Sequence, residues 1–256
     1  MPRASKTAAT AMRSAMAGVA QECVSHDTMF DQLISLLAKY PVVTLGHIML
    51  LLPVVFGILR REYLNSVLVF VVIYFAIHFI EQCLLLYYVI YDKKTIGVQK
   101  GFLIFYTIII ARLFYISYRN SVKLRRIGLI TCLLIGIVLL IDFQYNSFAF
   151  IGATLFRLLL IVFSLTYFNK ILSENRVLRT IYHPMFWISS GFLIYGMGTF
   201  MTSLFTDYLL DATKTSDQTY GLFLTMAELL GIIQCVLVAT GMWVSKFDQK
   251  NYINQR

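Results

Sequence analysis

Apolar residues run along this chain in seven long blocks separated by short polar connections: residues 41–59, 65–90, 101–118, 127–144, 148–168, 184–206 and 220–245. A helix needs about 20 mostly apolar residues to cross a bilayer, and each block meets or approaches that length. Lipid offers no partner to an open sheet edge, and the blocks far exceed the alternating ten-residue strands of a membrane barrel. The pattern predicts an all-α fold, a polytopic membrane bundle of seven transmembrane helices within residues 41–245.

Composition agrees. Hydrophobic residues make up 59% of the chain and charged ones 14%, against about 25% charged in an ordinary soluble domain; the mean hydropathy is +0.73. The net charge of +9 is clustered between the apolar blocks, where it reads as topology signal and lipid-facing charge. The lipid bilayer is therefore the expected partner, and nucleic acid is not.

Basic residues near the block ends set the expected orientation. One set of connections carries Arg60, Arg61, Arg119, Lys123, Arg125, Arg126, Lys170, Arg176 and Arg179, joined by Lys246, Lys250 and Arg256 in the tail. The opposite set carries Lys39, Lys93, Lys94, Lys100 and Lys214, with the acidic Asp207, Asp211 and Asp217. Twelve against five predicts an outside N-terminus, a cytoplasmic C-terminus and a multi-pass protein of a cell inner membrane. Residues 1–28 are rich in Ala, Ser and Met, with no acid before Glu22. A targeting segment, an amphipathic surface helix and an extension outside the fold all suit them, the last best, because "MFDQLISLLAKYP" from Met29 makes a natural start. Residues 29–40 are expected to be interfacial, and 246–256 a cytoplasmic tail.

Glu81, Arg112, Arg157 and Glu228 fall well inside the blocks. One charge at mid-membrane costs about 2.5–3.5 kcal/mol on the insertion scale, so such groups face the bundle interior and find partners. At 1.5 Å per residue, Glu81, Glu228 and Arg157 come to a comparable depth in the outer half. Arg157 is then the better partner for either carboxylate, and Arg112 snorkels toward the cytoplasmic end. His78 stands three residues before Glu81 and Gln82 four after His78, placing them on one side of the second helix. Two readings of His78, Glu81, Gln82, Arg157 and Glu228 stay open: a polar pocket for a small ligand or for protons, and a satisfied network that fixes helix register. His47, alone near Pro53, reads as a satisfied interior or interfacial histidine.

The sixth block, "HPMFWISSGFLIYGMGTFMTSLF", pairs a Pro suited to a first helical turn with the small residues Ser190, Gly191, Gly196, Gly198 and Thr202. Gly198 and Thr202 form a small-xxx-small pair, and the group predicts close helix packing, with a bendable helix as the sharper reading. Cys23, Cys83, Cys132 and Cys235 are scattered without a CxxC, so neither metal nor disulfide is expected. No HExxH, GxSxG, P-loop or GxGxxG occurs, and the last block has no lysine before Lys246. No cofactor is expected, and the chain reads as a non-enzymatic protein.

The span number, Glu81 in the second block and "PMFWISSGFLIYGMGTF" at Pro184 to Phe200 resemble a loose group of small bacterial seven-span proteins. That group is itself similar to the seven-span sensing modules attached to bacterial signalling proteins. The resemblance covers residues 29–245 and implies ligand sensing through an outward pocket, with a small-molecule ligand and a cytoplasmic or membrane signalling protein as partners. A small transporter or proton-coupled permease, and a structural membrane subunit, are the competing functions.

Overall fold

The computed structural model describes residues 41–91, 93, 95–118, 122–145, 151–173, 180–205 and 217–251. The expectations for 1–28 and 29–40, the connection 206–216 and the last residues of the tail lie outside the described residues. The described chain folds as α1 (Pro41–Met49), α2 (Leu51–Leu59), α3 (Ser66–Ile90), α4 (Ile96–Ser117), α5 (Val122–Tyr145), α6 (Ile151–Ser173), α7 (Pro184–Leu204) and α8 (Asp217–Asn251). No strand occurs among the described residues.

Local chemistry explains the punctuation. Pro53 has no N–H to give the carbonyl of Met49 and its ring crowds that carbonyl, which places the break between α1 and α2 at Leu50. Asn65 caps α3, its side chain accepting from the Leu68 N–H at 3.0 Å. Pro184 occupies the first turn of α7, where an absent N–H removes no helical bond. Both α4 and α5 begin five residues before the apolar blocks they contain. Hydropathy marks where lipid contact starts, whereas the helical hydrogen-bond ladder continues into the polar flank. The consequence is that Lys123, Arg125 and Arg126 belong to helix α5, and that Lys100 lies inside α4 and is buried.

Consecutive helices pack side by side, and α8 closes the ring by packing on both α1 and α2. The cation of Arg60, just beyond α2, sits 4.1 Å from the ring centre of Trp243 near the end of α8. Lys170, near the end of α6, donates to the carbonyl of Ser117 at the end of α4. The ends of α2, α4, α6 and α8 therefore share one face of the bundle.

Six spans, with α1 and α2 counted as one, are long and apolar enough to cross a membrane, and only 22% to 41% of each is buried inside the bundle. What they turn outward is apolar: Leu59, Ile108, Ile127, Leu133 and Met226 are all exposed. A soluble monomer rarely exposes contiguous apolar patches beyond a few hundred Å², so this surface is one made for lipid. The seventh, α7, is not among the six, because Gly, Ser and Thr lower its hydropathy. Nine of its 21 residues are buried, while Met197, Met201 and Leu204 are exposed.

Its small residues mark where neighbours come close. A Cβ on Gly191 would stand 3.2 Å from the Gln234 carbonyl of α8, and one on Gly196 3.1 Å from Ile161 and 3.4 Å from the Arg157 carbonyl of α6. Gly198 faces the Leu230 side chain, and Thr202 bonds back to the Gly198 carbonyl at 3.5 Å. Gly241, on α8, completes the α7–α8 contact from the other side: a Cβ there would come 2.8 Å from the Pro184 carbonyl. Hydroxyls of Ser190, Thr199 and Ser203 donate to carbonyls four residues back, at 2.8, 2.6 and 3.0 Å, so these polar groups enter the bundle already satisfied.

Candidate functional site

The half of the bundle opposite the Arg60–Trp243 end holds a cluster of buried polar side chains. On α3, His78 and Glu81 are three residues apart and so share a face; their Nδ1–Oε2 distance is 3.0 Å. From α4, the phenol of Tyr106 donates to the same Oε2 and lies 3.1 Å from His78 Nδ1. One carboxylate oxygen, an imidazole and a phenol thus form a closed triangle tying α3 to α4. Glu81 is 6% and Tyr106 5% exposed, so neither has water to fall back on, and each satisfies the other. Tyr74 closes the inner side, its ring 5.1 Å from that of Tyr106 and 5.5 Å from that of Phe192.

Glu228 sits differently. It enters from α8 beside α1, where Gly46 leaves the room it needs: a Cβ at Gly46 would stand 2.6 Å from Glu228 Oε2. The carboxylate is half-buried. Among the described residues it makes no hydrogen bond or ion pair, while the imidazoles of His47 and His78 lie within electrostatic reach. His47 spends its Nδ1–H on the Val43 carbonyl at 2.7 Å, as expected of a satisfied histidine. Its nearness to Glu228 was not visible in the sequence, because the two residues meet only when α8 closes the ring.

Arg157 is not the partner of either carboxylate. Its guanidinium donates to Ser203 and is hydrogen-bonded to Tyr195, both on α7. Glu81 instead contacts His78 and Tyr106. The correction has a plain cause: counting residues estimates depth and says nothing of position around the ring. Arg157 stands on α6, which packs on α4, α5 and α7, whereas Glu81 stands on α3, between α2 and α4. Hydroxyl and phenol oxygens give the guanidinium its acceptors instead. Gln82 is half-buried and takes no part in the triangle. Adjacent helical residues point about 100° apart, so Gln82 and Glu81 cannot both face Tyr106. Arg112 is exposed, over the ring of Tyr115.

Residues absent from the sequence reading carry much of this site: Tyr106, Tyr195, Ser203, Tyr74 and Gly46. Tyr195 connects its two sides, bonded to Arg157 and within electrostatic reach of Glu228 and Glu81. Only proximity in the fold singles these residues out, since Tyr, Ser and Gly recur throughout the chain. No group of three metal-ligating side chains occurs among the described residues.

Fold and site together define a multi-pass, membrane-type helix bundle with a polar cluster in one half. No protein family, curated protein or solved structure matches the chain.

Proposed function

We propose that this protein is a non-enzymatic sensor or receptor-like module of a bacterial inner membrane, with its input at Glu228. One observation supports the reading most. The carboxylate without a hydrogen bond among the described residues is carried by α8, the 35-residue helix. At 1.5 Å per residue, α8 is about 52 Å long, well beyond the ~30 Å hydrocarbon core of a bilayer. Glu228 lies in the polar half, and α8 continues 23 residues past it to Asn251, about 35 Å away. A ligand that favours one setting of α8 is thereby linked to the opposite face.

The ligand suited to this position is small and cationic or rich in hydrogen-bond donors, because Glu228 offers acceptor oxygens. The positive-inside count favours a pocket toward the outside and the end of α8 in the cytoplasm, where the sensor reading puts a signalling partner. Proton-coupled transport draws support from a different observation, the run of titratable groups from Glu228 through His78 to Glu81.

The test is thermal stability of the detergent-purified protein across a panel of small amines and amino acids. A ligand at a hundred times its Kd stabilises the native state by about 2.7 kcal/mol. The sensor reading expects a compound that stabilises wild type and not Glu228→Gln. Equal stabilisation of both would remove Glu228 as the input, and proton-driven flux in vesicles that Glu228→Gln abolishes would establish transport instead.

A further inference from the structure

A second site lies at the other end of the bundle, on its lipid-facing surface. Arg112 of α4 and Arg125 of α5 both stand over the ring of Tyr115, with guanidinium carbons 5.4 and 4.9 Å from its centroid. Those distances set the two carbons no more than about 10 Å apart. Neither arginine has an ion-pair partner among the described residues.

The helix beneath adds to the imbalance. α5 opens on Val122, Lys123, Leu124, Arg125 and Arg126, with no acid in its first turn, although the start of a helix is already its positive end. An anion at this position would relieve both the repulsion between the arginines and the unfavourable placement of cations on the dipole. Guanidinium groups suit phosphate especially, since their planar fork donates two parallel bonds, and the tyrosine face holds them in place.

The surface leading to the pair is apolar. On α4, Phe105 and Ile108 are 58% and 60% exposed, and with Arg112 and Tyr115 they fall at spacings of three, four and three. That spacing makes one continuous stripe along the helix. Across from it, α5 turns out Ile127 and Ile130. Acyl chain along the stripe and phosphate at its end is the arrangement of an amphiphile.

We propose that Arg112, Tyr115 and Arg125 form a binding site for the phosphate headgroup of an anionic phospholipid, whose acyl chain lies along the Phe105–Ile108 stripe of α4. The site is independent of Glu228 and holds whatever the function of the polar cluster.

The test counts lipids retained by the full-length protein in native mass spectrometry, from mixed micelles of phosphatidylglycerol or phosphatidylcholine. Wild type should retain phosphatidylglycerol preferentially. With each charge-assisted guanidinium–phosphate contact contributing about tenfold, Arg112→Gln/Arg125→Gln should weaken retention roughly a hundredfold. The neighbouring pair Lys123→Gln/Arg126→Gln removes the same charge from exposed positions and should weaken it distinctly less. Should the double arginine variant not fold, Arg112→Gln alone, at an exposed position, should still lose about tenfold. Equal losses in the two double variants would overturn the site in favour of diffuse charge. Unchanged retention, or phosphatidylcholine bound as strongly, would also overturn it. Competition by free glycerol phosphate at concentrations matching the lipid would show a soluble-anion site and refute the lipid assignment.

Discussion

Glu81 and Glu228 are the same side chain in the same half of one bundle, yet their surroundings differ in kind. Glu81 is buried, accepts from Tyr106 and contacts His78 at 3.0 Å. Glu228 is half-buried, has no hydrogen bond among the described residues, and rests where Gly46 leaves a space. The cost of a charge in a membrane is met at Glu81 by fixed neighbours, which makes that carboxylate a fastening between α3 and α4. At Glu228 it is met by partial exposure and by imidazoles at a distance, which leaves the oxygens available. The contrast teaches that an intramembrane acid is informative through its unused bonding capacity more than through its charge.

The largest expected effect breaks the fastening. Glu81→Leu leaves a buried phenol and a partly buried imidazole without their shared acceptor, and should destabilise the detergent-solubilised protein by about 3 kcal/mol. Thermal unfolding measures it; a loss no greater than that of Glu228→Leu would dissolve the distinction. Next, Tyr106→Phe removes the donor to Glu81 together with the contact to His78 Nδ1, with an expected loss of about 1.5–3 kcal/mol. Tyr195→Phe, on the Arg157 side, should cost less, about 1 kcal/mol, since Ser203 continues to accept from the guanidinium.

Gly46→Ala has a small effect on stability and sharpens the comparison most. The new Cβ meets the tip of a flexible side chain, so the fold should lose no more than about 1 kcal/mol. The Glu228 carboxylate must nevertheless move. Any ligand-induced stabilisation that depends on Glu228 should fall sharply in Gly46→Ala while the unliganded melting point stays close to wild type. A ligand response preserved in full would separate Gly46 from the site.

Much of the architecture was legible beforehand, because a bilayer demands long apolar helices and the chain displays them plainly. The ends of α4 and α5 were not, since polar flanks continue the helix beyond the hydrocarbon. Within the site, the His78–Glu81 neighbourhood is local to one helix and follows from its spacing. The Arg157 pairing failed because depth is one coordinate and position around the ring is another. Tyr106 and Gly46 became visible only through the contacts of α4 with α3 and of α8 with α1. α7 is a middle case: its small residues announce close packing, but Gly191 meeting α8 and Gly196 meeting α6 depend on how the helix is rotated.

The most direct test melts Glu81→Gln and Glu228→Gln side by side, without ligand, in one detergent. The division of roles predicts that Glu81→Gln loses about 2 kcal/mol, as a hydrogen-bonded charge would, while Glu228→Gln stays within about 0.5 kcal/mol of wild type. Equal losses, or a greater loss at Glu228, would contradict the account and make both carboxylates structural.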